Sequence, residues 1–588
     1  QPQVQHAVDK VLGLADHADT VDNRRMGGAF GGKEIQASWF AVIAAALAQR
    51  SGRPVKYRLD RDDDMIMTGK RQSSWLRYRV GFDDDGRILG IDQEQAADGG
   101  YSPDLSDAVA YRAMYHADNA YYLEHVRITA HRCRTNKVSN TAFRGFGGPQ
   151  GMAGMEHIID HIARYLGRDP LEIRKLNFYG KHERNVTPYG QTLEDNIINE
   201  LVADLESSAH YAERRSAIRA WNATSPWLKK GLALTPIKFG IAFTTKFHNQ
   251  GAALVLVYRD GSVQLNHGGT EMGQGLHIKV AQVVAEAFGI DLERIRITTT
   301  TTGKVPNASA TSASTGTDLN AAAAYDAALK IVNRLRSAAR DHYALAADEC
   351  IEFRDNSVYA GERRLGSFAD IVDMAYFARV PLSATGFHVI PKIWGDDTGG
   401  GHPFHYFAYG AAVAEVLVDT LTGEYRMSQV DILHDVGHSL NPAIDRGQIE
   451  GGFIQGVGWL TTEELWWNER GRIMTHSPST YKIPTCSDVP VHFRTDFYQR
   501  GESVDTAIFR SKAVGEPPLM LAPAVLHAIR DAIAAVDDYR HAAPINAPAT
   551  PEAVLLAIQT LRKAAKLRAA TAKNPLAEAA AADVEAVL

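Results

Sequence analysis

Apolar and polar residues alternate along several short stretches of the chain, and this two-residue period predicts β-strands. Arg77–Phe82 and Ile88–Gln93 flank the turn Asp83-Asp84-Asp85-Gly86, which predicts an antiparallel hairpin. A second predicted hairpin joins Leu254–Tyr258 to Ser262–Asn266 through Arg259-Asp260-Gly261. Three further stretches are predicted as strands: Val55–Leu59, Ala412–Val418 and Glu424–Ile432.

Longer apolar stretches predict helices. Two of them end at a glycine followed closely by a proline, at Gly52 with Pro54 and at Gly167 with Pro170, which is a stop signal. The predicted helices are 34–50, 151–166, 275–288, 457–467, Leu319–Tyr343, Leu519–Val536 and the Ala-rich tail 561–588. For the tail, a surface or subunit-contact helix is the favoured interpretation.

Helices and strands are intermixed along the chain, which predicts an α+β fold of two elongated mixed lobes. A polar stretch, about Trp221–Lys230, is interpreted as the connection between them. The predicted domains are therefore 1–226 and 227–588, with the ligand-binding loops converging between the lobes, a common place for a site.

Four glycine clusters each precede a predicted helix, at Arg25–Glu34, Phe143–Gly151, His267–Gly275 and Gly451–Gly458. Glycine lets a backbone approach a ligand closely, and helix N-termini present unpaired N–H groups to anions. One such loop is more often a turn than a site, but several favour a large, phosphate-bearing cofactor. None has the P-loop form or a dinucleotide fingerprint after a clear strand, so a nicotinamide or flavin site is disfavoured.

Glu516 is a lone carboxylate between Gly515 and the pair Pro517-Pro518, at the start of the predicted helix Leu519–Val536. Proline suits a first helical turn, so the carboxylate lies on a rigid loop that could aim a base. The alternative is a charge that only complements the helix dipole.

Composition narrows the class of protein. The 588 residues carry a net charge of −6, which gives no basic footprint for nucleic acid. The longest strongly apolar stretch, Trp39–Ala48, is too short to span a membrane. We therefore expect no nucleic-acid or membrane partner, and no signal peptide is visible. Because the chain opens with Gln, we expect that an upstream segment was removed or lies on another piece.

Three scattered cysteines, Cys133, Cys350 and Cys486, indicate a reducing, cytoplasmic environment. They cannot hold an iron–sulfur cluster, which normally needs four cysteines, so electrons from any redox chemistry must leave through another polypeptide. His157 and His161 are four apart but lack a zincin pattern, and a structural role is expected. Asp60–Asp64 and Asp83–Gly86 are expected to be solvated turns rather than calcium sites.

Five segments together resemble the molybdenum-binding part of xanthine dehydrogenases, in the same order and with similar spacing from about residue 1 to 560. They are Arg25–Glu34, Asn140–Gly151, His267–Gly275, Ser479–Pro484 and Lys512–Pro518. The resemblance implies a molybdenum–molybdopterin cofactor whose dithiolene holds the metal, with no protein ligand to the metal.

The resemblance also implies roles for residues that have ordinary explanations when taken alone. Glu516 would be the catalytic base. Glu34, otherwise a helix-dipole partner, would bind the purine, and Arg112, otherwise a surface cation, would hold a substrate carbonyl and stabilise the transition state. Phe146 and Phe243, otherwise core aromatics, would sandwich the heterocycle, with Thr244 as a polar contact.

For the cofactor, the resemblance places Gln274 and Gln455 on the pterin, whose edge a buried amide can pair with. It places the backbone of five residues near the pterin or the molybdenum: Phe30, Gly31, Arg144, Ala313 and Ser314. A further family Gln lies upstream of residue 1, so the site is expected to be incomplete on this chain and the first domain to lack its N-terminal part.

The function implied is that of an oxidoreductase of purine metabolism: hydroxylation of hypoxanthine to xanthine and of xanthine to urate. Electrons would pass to 2Fe-2S and FAD centres on a partner chain and then to NAD, in a dimer of heterodimers. The alternatives are an aldehyde or N-heterocycle oxidoreductase with the same cofactor, and a non-catalytic nucleotide-binding scaffold. Aldehyde oxidases lack the Glu34/Arg112 pair, so its presence favours an oxopurine.

Overall fold

The computed structural model describes residues 2–305, 308–396, 399–500 and 507–571. Within these ranges eighteen strands form six small sheets. The strands are β1 (Asp22–Asn23), β2 (Ser74–Phe82), β3 (Ile88–Gly100), β4 (His125–Arg134), β5 (Leu228–Ile241), β6 (Gln250–Val257), β7 (Val263–His267), β8 (Ile295–Ile297), β9 (Thr300–Thr301), β10 (Ile351–Arg354), β11 (Ser357–Ala360), β12 (Arg363–Ser367), β13 (Ser383–Val389), β14 (Trp394–Gly395), β15 (Gly401–His402), β16 (Tyr406–Asp419), β17 (Tyr425–His434) and β18 (His492–Phe497).

Fourteen α-helices lie in the same described ranges, and the mixture confirms the α+β class. The helices are α1 (Pro2–Leu12), α2 (Ala37–Ser51), α3 (Arg61–Met67), α4 (Ser106–Tyr115), α5 (Gly148–Leu166), α6 (Pro170–Asn177), α7 (Ile198–Ser208), α8 (Tyr211–Thr224), α9 (Leu276–Phe288), α10 (Gly316–Tyr343), α11 (Phe368–Phe377), α12 (Pro442–Thr461), α13 (Pro523–Ala534) and α14 (Pro551–Thr571). Short 3₁₀ turns include Pro517–Leu521, just before α13.

The largest sheet has the order β18-β17-β16-β5, and its strands β5 and β16 are buried on both faces. Along β16, Phe407 and Val413 face a core shared with α5 to α8, whereas Ala408 and Ala412 face a core shared with α12 to α14. A strand covered on both sides is nearly continuously apolar, as β16 is. Residues on both sides of the predicted 226/227 boundary thus share a core, and the boundary itself stays a prediction.

A second sheet, in the order β13-β6-β7-β8, packs against α9 and α10, and α11 belongs to the same hydrophobic core. The alanine-rich face of α10 explains the composition of this long helix, because small side chains let it approach the strands. At Gly386 of β13, an added Cβ would lie 1.9 Å from the carbonyl oxygen of Ala323, so only glycine fits there. The helix beginning at Gly316 is therefore held rigidly against the sheet.

Several predicted elements are confirmed. Both hairpins form as antiparallel pairs, β2 with β3 and β6 with β7. Helices α2 and α5 end at Gly52 and Gly167, which both have the left-handed conformation that favours glycine at this position. The strands predicted at Ala412–Val418 and Glu424–Ile432 lie within or overlap β16 and β17.

Other predictions were wrong for identifiable reasons. Val55–Leu59 forms no strand, because its residues are mostly exposed and pair with no described neighbour. Asp60–Asp64 is not a turn: Asp60 caps α3 by accepting from the backbone N–H of Asp63. The connection predicted at Trp221–Lys230 shrinks to residues 225–227, between α8 and β5. The helix predicted for the tail is present in α14 as far as Thr571, the last residue described, and residues 572–588 lie outside the described ranges. Its role as a surface or subunit-contact helix stays a prediction.

The fourth glycine cluster, Gly451–Gly458, is not a loop before a helix but lies inside α12. An added Cβ at Gly452 would lie 2.8 Å from Pro518, and one at Gly456 would lie 2.3 Å from the carbonyl oxygen of Leu519. Glycines four residues apart lie on one face of a helix. Their role is therefore to let α12 approach the segment that follows Glu516.

The expectation about apolar stretches also needs correction. Among the described residues, one helical stretch, Pro517–Asp537, is long and apolar enough to cross a membrane, whereas Trp39–Ala48 is shorter. However, 94% of the most apolar window of that stretch is buried inside the protein. Its composition is that of a core element packed against β5 and β16.

Candidate functional site

The first three glycine clusters and the loop that carries Glu516 meet around a cavity of about 480 Å³, called here the smaller cavity. Its wall is formed by the segments 26–31, 142–146, 272–274, 311–318 and 511–516, together with a few single residues. Nine of the residues singled out from the sequence line it: Phe30, Gly31, Glu34, Arg144, Phe146, Gln274, Ala313, Ser314 and Glu516.

The carboxylate of Glu516 is held by groups far away in sequence. Its Oε1 accepts from the backbone N–H of Gly145 at 3.1 Å, and its Oε2 accepts from Oγ of Ser314 at 3.0 Å. The N–H of Glu516 in turn donates to the same Ser314 Oγ at 2.9 Å. Although Glu516 precedes a 3₁₀ turn, its side chain caps no N–H of that turn. The carboxylate is therefore directed at the cavity wall and not at its own helix.

Arg144 fixes the loop next to Glu516. Its Nε donates to the carbonyl oxygen of Gly515 at 2.5 Å, and its two other nitrogens donate to Gln455 Oε1 at 3.1 Å and to the Gln448 carbonyl at 3.2 Å. Gln455 does not line the smaller cavity. It lines a larger neighbouring cavity of about 1770 Å³, which also contacts Phe30, Arg144 and Tyr481.

Arg112 is not a surface cation, as its sequence context alone suggested, because only 2% of its side chain is exposed. It projects from the last turn of α4 to the end of β5, where it donates to the carbonyl oxygens of Gly240 at 2.6 Å and Ala242 at 2.7 Å. Its Nη2 lies 3.9 Å from Oε2 of Glu516. Arg112 therefore lies behind the base and, among the described residues, does not line the smaller cavity.

The structure does not bring Phe243 and Thr244 into the wall of the smaller cavity. They follow β5 directly, and Asn249 fixes this bend by exchanging two hydrogen bonds with the backbone of Phe243, at 3.0 and 2.8 Å. The Phe243 ring lies 5.4 Å from the ring of His248. Of the two aromatic walls expected for a heterocycle, Phe146 lines the cavity and Phe243 does not.

Glu34 has an unusual proton affinity. Burial raises its pKa from the ordinary 4.5 to about 7, and the negative charges of Glu516 and Asp104 add to this, whereas the nearby hydroxyl of Ser312 lowers it. Its Oε2 is buried without a hydrogen-bond partner among the described residues. A carboxyl group in this state near neutral pH can donate a hydrogen bond to a ligand as well as accept one.

Four residues of the cavity wall adopt left-handed backbone conformations although they are not glycine: Phe30 (φ 51°), Phe146 (φ 51°), Ala313 (φ 54°) and Ser314 (φ 57°). Such conformations cost on the order of 1–3 kcal/mol each and persist only where the surroundings enforce them. Gly31, with φ 100°, lies so close to Ala142 and Phe143 that an added Cβ would meet their backbone at 3.0 Å. This concentration of strain is typical of a functional site.

Sequence reasoning missed a set of buried polar residues at one end of the cavity: Lys279, Asp318, Asp445 and Lys512. Lys279 pairs with Asp445, and Lys512 contacts two carboxylates, at Asp195 and Asp435, each at 2.7 Å. Burial raises the pKa of Asp318 to about 7, partly offset by the hydroxyl of Tyr406. Lys512 was part of a quoted motif, but nothing local in the sequence indicated its partners.

Within the described residues there is no group of three or more His, Cys, Asp or Glu side chains that could hold a metal ion. His157 and His161 make structural contacts, with Arg530 at 2.9 Å and with Tyr78 at 2.5 Å. The smaller cavity instead offers backbone loops, amides and the start of α10. These groups suit an extended organic cofactor that brings its own ligands to a metal.

Comparison with known proteins also points to an organic cofactor that carries a metal. Two family models described as molybdopterin cofactor-binding domain match residues 2–178 and 204–490. Xanthine dehydrogenase of Oryza sativa subsp. japonica is 46% identical over 94% of this chain and 39% of the relative, and xanthine dehydrogenase/oxidase of Mus musculus is 42% identical over 94% and 40%. The chain thus spans about 40% of the length of these curated relatives.

The fold is shared with quinoline 2-oxidoreductase from Pseudomonas putida 86. That structure superposes with a TM-score of 0.83 at 24% identity and covers 95% of this chain and 71% of the other.

Proposed function

Because the chain belongs to the xanthine dehydrogenase family of molybdenum hydroxylases, we propose that it is the part of a xanthine dehydrogenase that oxidises hypoxanthine to xanthine and xanthine to urate. One observation carries this proposal: two carboxyl groups line the same cavity. Glu516 is held in a fixed position, and Glu34 has a raised pKa. Arg112 supports it from behind Glu516, at 3.9 Å.

The residues of the cavity fit molybdopterin. The amide of Gln274 and the strained backbone at Phe30–Gly31 and Ala313–Ser314 would hold the pterin, while Arg144 and Gln455 approach it from the larger cavity. When bound, the molybdenum cofactor supplies the two-electron oxidant and the water-derived oxygen that the purine gains. Since the described residues offer no metal-ligand cluster, the protein would contribute orientation and hydrogen bonds and no ligand to the metal.

Glu516 would act as the general base that takes the proton from the attacking oxygen. The N–H of Gly145 and the hydroxyl of Ser314 keep its carboxylate in one place before the reaction starts. General base catalysis of this kind typically contributes about 10²- to 10⁴-fold in rate. The base would thus need no reorganisation when the purine arrives.

Arg112 and Glu34 would stabilise the negative charge that builds on the purine during attack. A guanidinium and a protonated carboxyl act more strongly on the transition state than on the neutral ground state. Both groups have unmet hydrogen-bonding capacity: Nε of Arg112 and Oε2 of Glu34 are buried without partners among the described residues. The pair favours an oxopurine over an aldehyde.

A second candidate is the oxidation of an aldehyde or another N-heterocycle with the same cofactor. It is favoured by the position of Phe243 and Thr244 outside the smaller cavity. It is also favoured by the hydrogen bonds that both terminal nitrogens of Arg112 donate to the carbonyls of Gly240 and Ala242. In this arrangement, the residues expected to contact a purine are not all in place before a substrate binds.

Electrons would leave through 2Fe-2S and FAD centres on a partner chain or another part of the protein, and then pass to NAD. The three cysteines of the chain are exposed and far apart in sequence, which supports an external electron path. A dimer of heterodimers and a cytoplasmic location belong to the same proposal.

The test is steady-state turnover of the purified enzyme with xanthine and with a simple aromatic aldehyde, alongside metal and pterin analysis of the same sample. We expect molybdenum, pterin and a strong preference for xanthine. Turnover of the aldehyde alone would establish the second candidate. Absence of molybdenum and pterin would leave a non-catalytic binding protein.

A further inference from the structure

The loop Lys512–Glu516 is held at successive residues by groups from elsewhere in the chain. The buried side chain of Lys512 lies between Asp195 and Asp435, with each contact at 2.7 Å. The N–H of Ala513 donates to the hydroxyl of Tyr406 at 3.0 Å, and the carbonyl of Gly515 accepts from Arg144. Because Lys512 is completely buried, this end of the loop is anchored, and the freedom that remains lies between Ala513 and Gly515.

Tyr406 connects this loop to the start of α10. Its hydroxyl donates to Oδ2 of Asp318 at 2.8 Å while it accepts from Ala513, so both of its hydrogen-bonding functions are used. The side chain is 2% exposed, and Tyr406 is not among the described residues that line the smaller cavity. Tyr406 therefore has no route to a ligand in that cavity except through Ala513 or Asp318.

We propose that Tyr406 is a positioning residue for Glu516, which it orients by fixing the backbone of Ala513 three residues upstream. Removal of the hydroxyl would leave the N–H of Ala513 without its partner, and a donor in that state is costly unless the backbone moves. Since Lys512 cannot follow, the movement falls on the residues that lead to Glu516. A small displacement of a reacting group can cost about 100-fold in rate.

The inference rests on the proposed function only where turnover is the readout. Amide hydrogen exchange at Ala513 reports the hydrogen bond that its N–H donates to the hydroxyl of Tyr406, whatever reaction the enzyme catalyses. The two measurements together separate failure of this inference from failure of the proposed function.

The chain offers a matched control for Tyr406→Phe. The hydroxyl of Tyr179, which is 1% exposed, donates to the buried carboxylate of Asp118 at 2.5 Å and has no described bond to the Glu516 loop. Tyr179→Phe therefore removes a buried tyrosine–carboxylate hydrogen bond of the same kind. It should lower the melting temperature without affecting the geometry at Glu516.

The experiment compares both variants with the unaltered enzyme containing this chain, using kcat and KM for xanthine and exchange mass spectrometry of peptides covering 511–516. For Tyr406→Phe we expect kcat to fall by about 10- to 100-fold, KM to change by less than about threefold, and exchange at Ala513 to accelerate. Tyr179→Phe should leave kcat and the exchange at Ala513 unchanged.

Unchanged exchange at Ala513 in Tyr406→Phe, or accelerated exchange with normal kcat, would overturn the inference. An equal loss of kcat in both variants would also overturn it, because a general loss of stability would then explain the result. If the unaltered enzyme does not oxidise xanthine, the proposed function fails and exchange alone decides whether Tyr406 holds the loop. Should Tyr406→Phe not fold, the N–H of Ala513 in the unaltered enzyme must be strongly protected from exchange for the inference to stand.

Discussion

The two sides of the cavity differ in how completely their polar groups are satisfied. On the base side, the carboxylate of Glu516 has donors on both oxygens, from Gly145 and Ser314. On the substrate side, Oε2 of Glu34 is buried without a partner among the described residues and lies in the wall of the cavity. The base side thus has its hydrogen bonds satisfied without a ligand. The substrate side keeps hydrogen-bonding capacity that a ligand can use.

This difference has a physical basis. A general base must keep one position through every turnover, and fixed hydrogen bonds to a preformed loop supply that without reorganisation. A substrate-binding group gains specificity when its buried polar atoms are satisfied only by the correct ligand, since a wrong ligand leaves them unpaired.

The largest effect is expected on the base side. Glu516→Gln keeps the shape and an acceptor for the hydroxyl of Ser314 but removes the base, so kcat should fall by at least about 10²- to 10⁴-fold. Molybdenum content and melting temperature should stay close to those of the unaltered enzyme, because Glu516 lies on a loop and not in a core stretch. Steady-state rates, metal analysis and thermal melting of one sample decide this.

The control is Glu206→Gln, which alters a half-buried glutamate that accepts from Lys175 and lines neither cavity. It should retain turnover. A Glu516→Gln variant with normal turnover and only a lower melting temperature would contradict this role. Glu516 would then be a charge at the start of a helix that stabilises the fold by roughly 0.3–1 kcal/mol, and not the base.

A smaller and more selective effect is expected on the substrate side. The double variant Arg112→Met and Glu34→Val should lose kcat/KM for xanthine by about 10²-fold or more while aldehyde turnover appears or rises, because the base stays and purine orientation fails. Since Arg112 also pairs with the Gly240 and Ala242 carbonyls, the melting temperature should drop too. Glu34→Val alone avoids that cost and serves as the control.

Full xanthine turnover in the double variant, with no gain for aldehydes, would remove both residues from substrate recognition. A loss of both activities together with molybdenum would instead show that Arg112 is needed to build the cavity.

The raised pKa of Glu34 leads to a pH dependence. With a pKa of about 7, Glu34 is protonated below neutrality and can donate to the purine, and this form is lost as the pH rises through 7. The ratio of kcat/KM for the unaltered enzyme to that for Glu34→Gln should therefore fall by up to about tenfold per pH unit above 7. Taking the ratio removes the ionisation of the purine itself.

Stability gives an independent check of the same pKa. A carboxyl group with a raised folded-state pKa binds its proton more tightly in the folded protein, so its contribution is fully present below about 4.5 and is lost as the pH rises through about 7. The melting temperature of the unaltered enzyme should thus fall relative to Glu34→Gln across this range. Parallel melting curves would show that Glu34 has an ordinary pKa.

The sequence allowed many residues that line the cavity to be predicted, but not the buried contacts behind them. Glycine loops and a lone carboxylate are local signals that pointed to a site at these loops and at Glu516. The placement of Phe30–Gly31, Arg144 and Ser314 at that site came from the family resemblance, and all of them line the smaller cavity. The glycines of α12 were interpreted as a loop, because a glycine cluster looks the same in the sequence whether it allows close helix packing or binds a ligand.

What could not be predicted depends on contacts distant in the sequence. Arg112 can be buried because the carbonyls of Gly240 and Ala242, some 130 residues away, accept hydrogen bonds from its guanidinium. The link from Asp318 through Tyr406 to Ala513 joins three elements that have no shared motif. Such contacts arise only when β5, β16 and α10 have packed together.

The smallest expected effect concerns the strain beside the base. Ala313 is buried and lies at φ 54°, where a Cβ costs roughly 1–2 kcal/mol relative to glycine. Ala313→Gly relieves this strain but gives the unfolded chain more freedom, which costs roughly 0.5–1 kcal/mol. The melting temperature should therefore stay level or rise slightly. Ala142→Gly, at a buried lining residue whose φ is not positive, gains no relief and should lower it. Equal losses in both variants would show that the left-handed backbone at Ala313 stores no strain, and that the base side is held by its hydrogen bonds alone.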